Sequence, residues 1–352
     1  MAQPETEPKH IILHLGDPVN YNTTLYQQLE SKYNIIRPSL EERGRTEFIK
    51  ALKDQQWGNF SAIMRPHFST GGEIGRLDGE LVPLLPSSLR VYASAGAGYD
   101  WADIDVMAQH DILYCNGAGA PSEAVADMAL WYIISVFRNL TWSATAAKSL
   151  DPKKFHEAHE HVPETSSNPR GRVLGVIGLG GIGLKIAKKA YAALGMSIRY
   201  YDIARKPKDQ EESVDAQFCS TIDELIGTSD CIVLAIPLAG EKIITADLLS
   251  KFKTGSRFVN IARGPLVDEE ALADALESGQ LSAAGLDVHV DEPNVSKRLA
   301  QMRNVAMTCH NGGGAVETRM DFERLAMENV DRVLSGKAPL TPVNQHLMNT
   351  SN

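Results

Sequence analysis

Apolar residues along the chain change their period repeatedly. Short continuous apolar runs alternate with stretches in which apolar positions recur every three or four residues. That alternation predicts strands interleaved with helices, and hence α/β layers on parallel sheets. A first block predicts a strand over 10–16, a helix over 23–32, and strands over 61–64, 89–94 and 112–115. A long helix is predicted from Pro121 to about residue 140. Proline suits the first turn of a helix, where its missing N–H costs nothing. Residues 124–137 are apolar nearly all round, which predicts burial on several sides. Residues 143–172 are polar and charged, and predict an exposed arm. A second block predicts strands at 173–177, 197–201, 231–236, 257–261, 283–288 and 305–308, with helical patterns between most of them. The last amphipathic helix, over 317–334, is expected to return the chain to the first block. The layout predicts one domain inserted into a discontinuous other: 1–118 and 317–352 outside, 119–316 inside.

Composition narrows the classes. The chain has 352 residues, 43 % of them hydrophobic and 22 % charged, which is an ordinary globular balance with apolar material for two cores. A net charge of −9 argues against a nucleic-acid partner. An anionic substrate would need a local cationic site. Cys115, Cys219, Cys231 and Cys309 show no CxxC spacing, which fits a reducing compartment. Residues 1–10 lack an apolar signal region, and no stretch approaches the roughly 18–20 apolar residues that span a bilayer. The expectation is a cytoplasmic protein with no membrane partner.

The strongest chemical signal is Gly178-Leu-Gly180-Gly181-Ile182-Gly183. A GxGxxG is weak alone. Here it follows an apolar strand and opens a helical pattern, the context that a dinucleotide-binding turn demands. Gly178 permits the tight turn, Gly180 admits the pyrophosphate, and Gly183 lets helix and strand approach. The helix N-terminus, with Gly181 and Ile182 in its first turn, offers N–H groups and a positive dipole end to phosphate. Asp202, at the end of the next predicted strand, is placed to accept the adenosine ribose hydroxyls. A 2′-phosphate there would meet like charge, so NAD is expected over NADP. Arg205 and Lys206 lie just beyond and could offset part of this.

Three more polar residues stand at ends of later predicted strands, where ligands bind in open α/β sheets. They are Arg263, Glu292 and His310. Together they supply what reduction of a 2-keto acid requires. A planar guanidinium holds the carboxylate and polarises the C2 carbonyl. An imidazole donates a proton near neutral pH as hydride arrives. A carboxylate behind the imidazole orients it and favours its protonated form.

These ordered motifs resemble the D-isomer-specific 2-hydroxyacid dehydrogenases over nearly the whole chain. The resemblance implies a Rossmann NAD-binding domain inserted in a flavodoxin-like substrate domain, usually assembled as a homodimer. It makes Arg263 the substrate-binding arginine, Glu292 the His-orienting acid and His310 the proton donor. Asp287 matches the aspartate near the nicotinamide amide, and Pro237 the segment lining the adenosine ribose; Ala262 and Gly312 join the cofactor contacts. Ser94–Asp100 matches the loop whose backbone N–H groups grip the substrate carboxylate, with Ala95 and Gly96 as its substrate contacts. The run Cys309-His310-Asn311-Gly312 departs from the commoner pattern, which has an apolar residue after the His and a serine two places on.

Weaker signals remain. His156, His159 and His161 do not form HExxH, because position 160 is Glu, so no metal is expected. Cys309 reads as a strand-end core cysteine. The loop carrying Arg65, His67 and Ser69 is either solvated or a wall of the substrate pocket, and Asn311 is a second polar wall candidate. Polar walls suit a hydroxylated 2-keto acid, such as a 2-keto sugar acid, hydroxypyruvate or glyoxylate; apolar walls would suit an aromatic or branched one. The leading reading is an NADH-dependent reductase forming the D-2-hydroxy acid, with a hydroxylated substrate expected over an aromatic or branched one. The rival is a regulator that binds NAD(H) and signals to a partner.

Overall fold

A computed structural model describes residues 9–238 and 240–348. The chain divides into two compact units, Met1–Pro121 with Ala315–Asn352, and Ser122–Gly314.

The first unit holds five parallel strands: β1 (Ile11–His14), β2 (Asn34–Ile36), β3 (Ala62–Arg65), β4 (Val91–Ser94) and β5 (Leu113–Cys115), in the order β2-β1-β3-β4-β5. Successive side chains of a strand point to opposite faces, so neighbours in sequence join different cores. Leu13, Ile63 and Tyr92 face the helix Arg45–Lys53 side, with Phe48 and Trp57. Ile12, Met64 and Ala93 face the other side, where Ala326, Met327 and Val330 of the final helix, Val316–Leu334, cover them. Both faces are therefore apolar, as a parallel sheet requires.

The same final helix carries Glu323, which is 0 % exposed. Its carboxylate accepts the N–H groups of Asn20, Tyr21 and Asn22 at 2.8, 2.9 and 2.9 Å. These donors precede the helix Thr23–Lys32, whose own N-cap residue makes no side-chain cap bond. One distant acid thus serves as the cap. Glu323→Ala removes the acceptor shared by three backbone N–H groups and should cost about 1–3 kcal/mol, read as a lower unfolding midpoint. An unchanged midpoint would show that the cap carries no stability.

Seven parallel strands form the second unit: β6 (Val173–Ile177), β7 (Ser197–Tyr201), β8 (Gln217–Phe218), β9 (Cys231–Leu234), β10 (Ser256–Asn260), β11 (Leu281–Leu286) and β12 (Val305–Met307). Their order is β12-β11-β10-β9-β6-β7-β8. The winding reverses beside β6, the point where such sheets open a crevice at the strands' carboxyl ends. This is the Rossmann arrangement, and the mixed α/β class with parallel sheets is the one read from the chain.

Two expectations need correction. The predicted exposed arm contains two helices, Leu140–Lys148 and Pro152–Thr165. Asp151 caps the second by accepting the Lys153 N–H at 2.9 Å, with Pro152 at its start. Their thin apolar face, set among charges, hid the helical period. The helix Ser122–Arg138 is buried on several sides, as its apolar run predicts, and keeps one outer side on which Trp131 is 40 % exposed and Glu123 and Asp127 pair with Lys189. Two edge strands, β2 and β8, went unread because three and two residues hold too little period to detect. Among the described residues no helix is long and apolar enough to cross a membrane, and no cluster of His, Cys, Asp and Glu could hold a metal ion.

Candidate active site

The turn after β6 has the shape that a dinucleotide needs. Gly178 sits at φ +95°, and a Cβ there would stand 2.5 Å from Ile236. At Gly183 a Cβ would come within 2.0 Å of the Gly178 carbonyl oxygen, so the helix Gly181–Lys189 lies directly against the turn. Around Gly180 and Gly181, by contrast, an added Cβ meets nothing within 4 Å. Two glycines are thus required by packing, and two leave open space at a helix N-terminus where phosphate oxygens are favoured.

Asp202 follows β7. Its carboxylate accepts the Leu179 N–H at 2.9 Å and the Ile203 N–H at 2.8 Å, and pairs with Lys206 Nζ at 2.9 Å. The bond to Leu179 ties the acid to the glycine turn itself. These residues fit a nicotinamide dinucleotide. Pro237 lies exposed just beyond β9, and Ala262, 5 % exposed, just beyond β10.

The catalytic candidates are set by three turns in the same unit. Asn260, 1 % exposed at the end of β10, accepts the Ala262 N–H at 3.0 Å and donates to the Arg263 carbonyl at 3.0 Å. It fixes the turn that presents Arg263. Next in the chain, Gly264 runs so close to the His289 backbone that a Cβ would lie 2.0 Å from its carbonyl carbon. Glycine there lets the Arg263 turn pack on the segment leading to Glu292.

Glu292 and His310 meet. Glu292 Oε2 lies 2.8 Å from His310 Nδ1, while Oε1 accepts the His289 N–H at 2.9 Å. Burial pushes the Glu292 carboxyl up, but the His289 N–H and the His310 imidazole outweigh it and hold the group below the ordinary glutamate range. Glu292 is therefore an anion at neutral pH. The contact to Nδ1 fixes how the ring is turned, with Nε2 on its opposite side. The neighbouring acid Asp291 instead accepts from Asn294, so of the two carboxylates only Glu292 contacts the imidazole.

His310 itself sits at φ +50°, a left-handed conformation uncommon for a side-chain-bearing residue. Asp287 holds it there. Its carboxylate, in a residue 3 % exposed, accepts the Thr308 hydroxyl at 2.5 Å, the Asn311 N–H at 3.0 Å and the Gly312 N–H at 2.8 Å, while its backbone carbonyl accepts the His310 N–H at 2.7 Å. Asp287 and Gly312, which the resemblance gives as cofactor contacts, also build the turn under His310. A Cβ at Gly312 would stand 2.7 Å from Asp287 Oδ2, which explains the glycine. Cys309 is corrected: β12 ends at Met307, the turn swings the chain outward, and the thiol is exposed rather than in the core.

In the first unit, the loop after β4 turns at Gly96, φ +95°, where a Cβ would stand 3.3 Å from the Phe68 ring. Ala95 is also corrected as a carboxylate donor: its N–H donates to the Arg65 carbonyl at 2.7 Å, extending the sheet. Arg65 donates to the Thr70 and Phe68 carbonyls at 3.1 and 2.8 Å and lies over Trp101, so it shapes its own loop. His67 Nε2 contacts the Pro18 carbonyl at 3.0 Å, and Asn311 is exposed.

Asn260 escaped the sequence reading. Its signal was there: an amide at the carboxyl end of an apolar strand, three residues before the arginine.

Comparison with known proteins agrees with this geometry. The sequence model of the D-isomer specific 2-hydroxyacid dehydrogenase NAD-binding domain matches residues 130–312. The solved D-mandelate dehydrogenase of Rhodotorula graminis is 40 % identical, with a TM-score of 0.93, covering 96 % of this chain and 98 % of that one. A glyoxylate reductase structure from Paecilomyes thermophila is 31 % identical, with a TM-score of 0.86, over 96 % and 99 % of the two chains. The 4-methyl-2-oxopentanoate reductase A of Aspergillus oryzae is 34 % identical over 81 % of this chain and 84 % of its own.

Proposed function

The chain belongs to the D-isomer-specific 2-hydroxyacid dehydrogenases, and on that premise we propose that it reduces a 2-keto acid to the D-2-hydroxy acid with NADH, using Arg263, Glu292 and His310. The observation that carries the reading is the 2.8 Å contact between the anionic Glu292 and His310 Nδ1. It fixes the orientation of the imidazole that is assigned to deliver the proton. A bound nicotinamide supplies the hydride. This chain's residues do the rest: His310 Nε2 delivers the proton to the carbonyl oxygen, and Arg263 holds the carboxylate and draws charge from the same carbonyl. In oxidation the neutral imidazole accepts that proton back. Asn260 and Asp287 keep the two turns in place.

For the substrate side chain, the first unit's own loops present an apolar rather than a polar surface. Phe68 is 58 % exposed beside the Gly96 loop, whereas Arg65 and His67, read as either solvated or a polar wall, bond within their own unit. This moves the reading from the hydroxylated acids toward an aromatic or branched 2-keto acid, in keeping with relatives named for mandelate and 4-methyl-2-oxopentanoate. Initial rates with phenylglyoxylate, 4-methyl-2-oxopentanoate, glyoxylate and hydroxypyruvate test it. Higher kcat/KM for the first two is expected; preference for hydroxypyruvate would restore the polar reading. Tight NADH binding with no turnover on any of them would favour the regulator.

NADH is assigned from Asp202, since a 2′-phosphate would face its carboxylate. Asp202→Ala should narrow the NADH-to-NADPH ratio of kcat/KM. A wild-type enzyme using both equally would remove the assignment.

A further inference from the structure

We propose that Glu211 is a positioning residue for cofactor choice: it draws Arg205 away from the ribose end of β7 and so withholds the cation that a 2′-phosphate would use. The proposal rests on the NADH reading above. The chain leaving β7 carries two cations within four residues of Asp202. In the structure each already has a partner. Lys206 Nζ lies 2.9 Å from Asp202 itself, while Arg205 is turned to Glu211.

Glu211, 6 % exposed, lies in the last turn of the short helix Lys208–Glu212. Arg205 reaches it through two nitrogens: Nε donates to Oε1 at 2.9 Å and Nη2 to Oε2 at 2.9 Å. The Tyr200 hydroxyl donates to Glu211 Oε1 at 2.6 Å and accepts the Lys206 N–H at 2.8 Å. A buried carboxylate therefore grips the segment at a side chain and, through Tyr200, at the backbone. Arg205 first and Tyr200 second hold its carboxyl below the ordinary range, so it stays charged. A bidentate guanidinium–carboxylate pair is directional and holds its donors in one plane. None of these groups takes part in the proton transfer assigned to His310. What they fix is the charge offered to the ribose: one acid with its lysine, and an arginine committed elsewhere.

The test compares wild type, Glu211→Gln, Arg205→Ala and the double variant as full-length proteins. Calorimetric titration with adenosine 2′,5′-bisphosphate and with 5′-AMP is run beside kcat/KM for NADPH and NADH. Glutamine keeps an acceptor for Tyr200 but removes the charge that commits Arg205. Glu211→Gln should improve binding of the 2′-phosphate compound relative to AMP, and the NADPH-to-NADH ratio, by about tenfold, the worth of one charge-assisted hydrogen bond. The gain should fall on KM rather than kcat. Arg205→Ala alone should move neither ratio, and the double variant should return to wild type. An unmoved ratio in folded Glu211→Gln, or a gain that survives in the double variant, overturns the proposal. Should Glu211→Gln not fold, Arg205→Ala decides: weaker binding of the 2′-phosphate compound means Arg205 already serves it and the proposal fails, while unchanged binding supports it. Wild type using both cofactors equally defeats the NADH reading instead, whereas a wild type that prefers NADH with unmoved variants defeats only the Glu211 proposal.

Discussion

His310→Ala is expected to lower kcat for keto acid reduction by about 10²–10⁴-fold, the usual worth of a positioned acid–base group. NADH affinity should change little, because the groups assigned to the dinucleotide lie at the glycine turn and Asp202, held by bonds that do not involve the imidazole. The same residue sets the pH profile. Reduction needs the protonated imidazole, so its rate falls as pH rises; oxidation needs the neutral form, so its rate falls as pH drops. Glu292 lies below its ordinary range and is therefore charged throughout the neutral region. It accepts from His310 Nδ1, so removing its charge in Glu292→Gln should loosen the imidazole and lower kcat in both directions. Size and a hydrogen-bond acceptor are retained, which separates the charge from the packing. Profiles in both directions, with NADH titrations alongside, check this. An unchanged kcat in Glu292→Gln removes the dyad, and near-normal turnover in His310→Ala removes the mechanism.

Arg263→Ala should reduce kcat/KM for the keto acid by about 10²–10⁴-fold, with both constants affected. One guanidinium is assigned two tasks, holding the carboxylate before the reaction and drawing carbonyl charge during it. Loss of the first raises KM; loss of the second lowers kcat. Arg263→Lys should recover only part, because an ammonium lacks the planar fork that engages two oxygens at once. Asn260→Ala should resemble a weaker version of the same defect: without its amide, the Ala262 N–H and the Arg263 carbonyl lose their partner and the turn loosens. Steady-state kinetics on folded variants read these effects. A rise in KM with kcat untouched in Arg263→Ala would confine the arginine to binding.

Much of this was legible in the chain because it depends on local order. Apolar period marked the strands at 173–177 and 197–201, and their bounds agree with β6 and β7. A glycine turn needs its residues consecutive, so Gly178–Gly183 and the aspartate one strand later could be read directly. Arg263, Glu292 and His310 stood out as polar groups at strand ends. The chain could not show which acid reaches the imidazole, since Asp291 and Glu292 are adjacent and differ only in where the backbone turn points them. Nor could it show that Asp287 supports the turn under His310, that the Ala95 N–H is taken by β3, or that the Cys309 thiol faces outward. Those outcomes follow from hydrogen bonds between segments distant in sequence: Asp287 with residues 308–312, Ala95 with Arg65, Asn20–Asn22 with Glu323. Likewise, the sequence placed Arg205 and Lys206 beside Asp202 as two undifferentiated cations. Only the fold brought a buried carboxylate within 2.9 Å of one and left the other on Asp202. Local pattern determines which elements form, because period and turn chemistry act over a few residues. The partner of each polar side chain is decided by tertiary packing, because burial forces a donor or acceptor to be satisfied by whatever the fold places within reach.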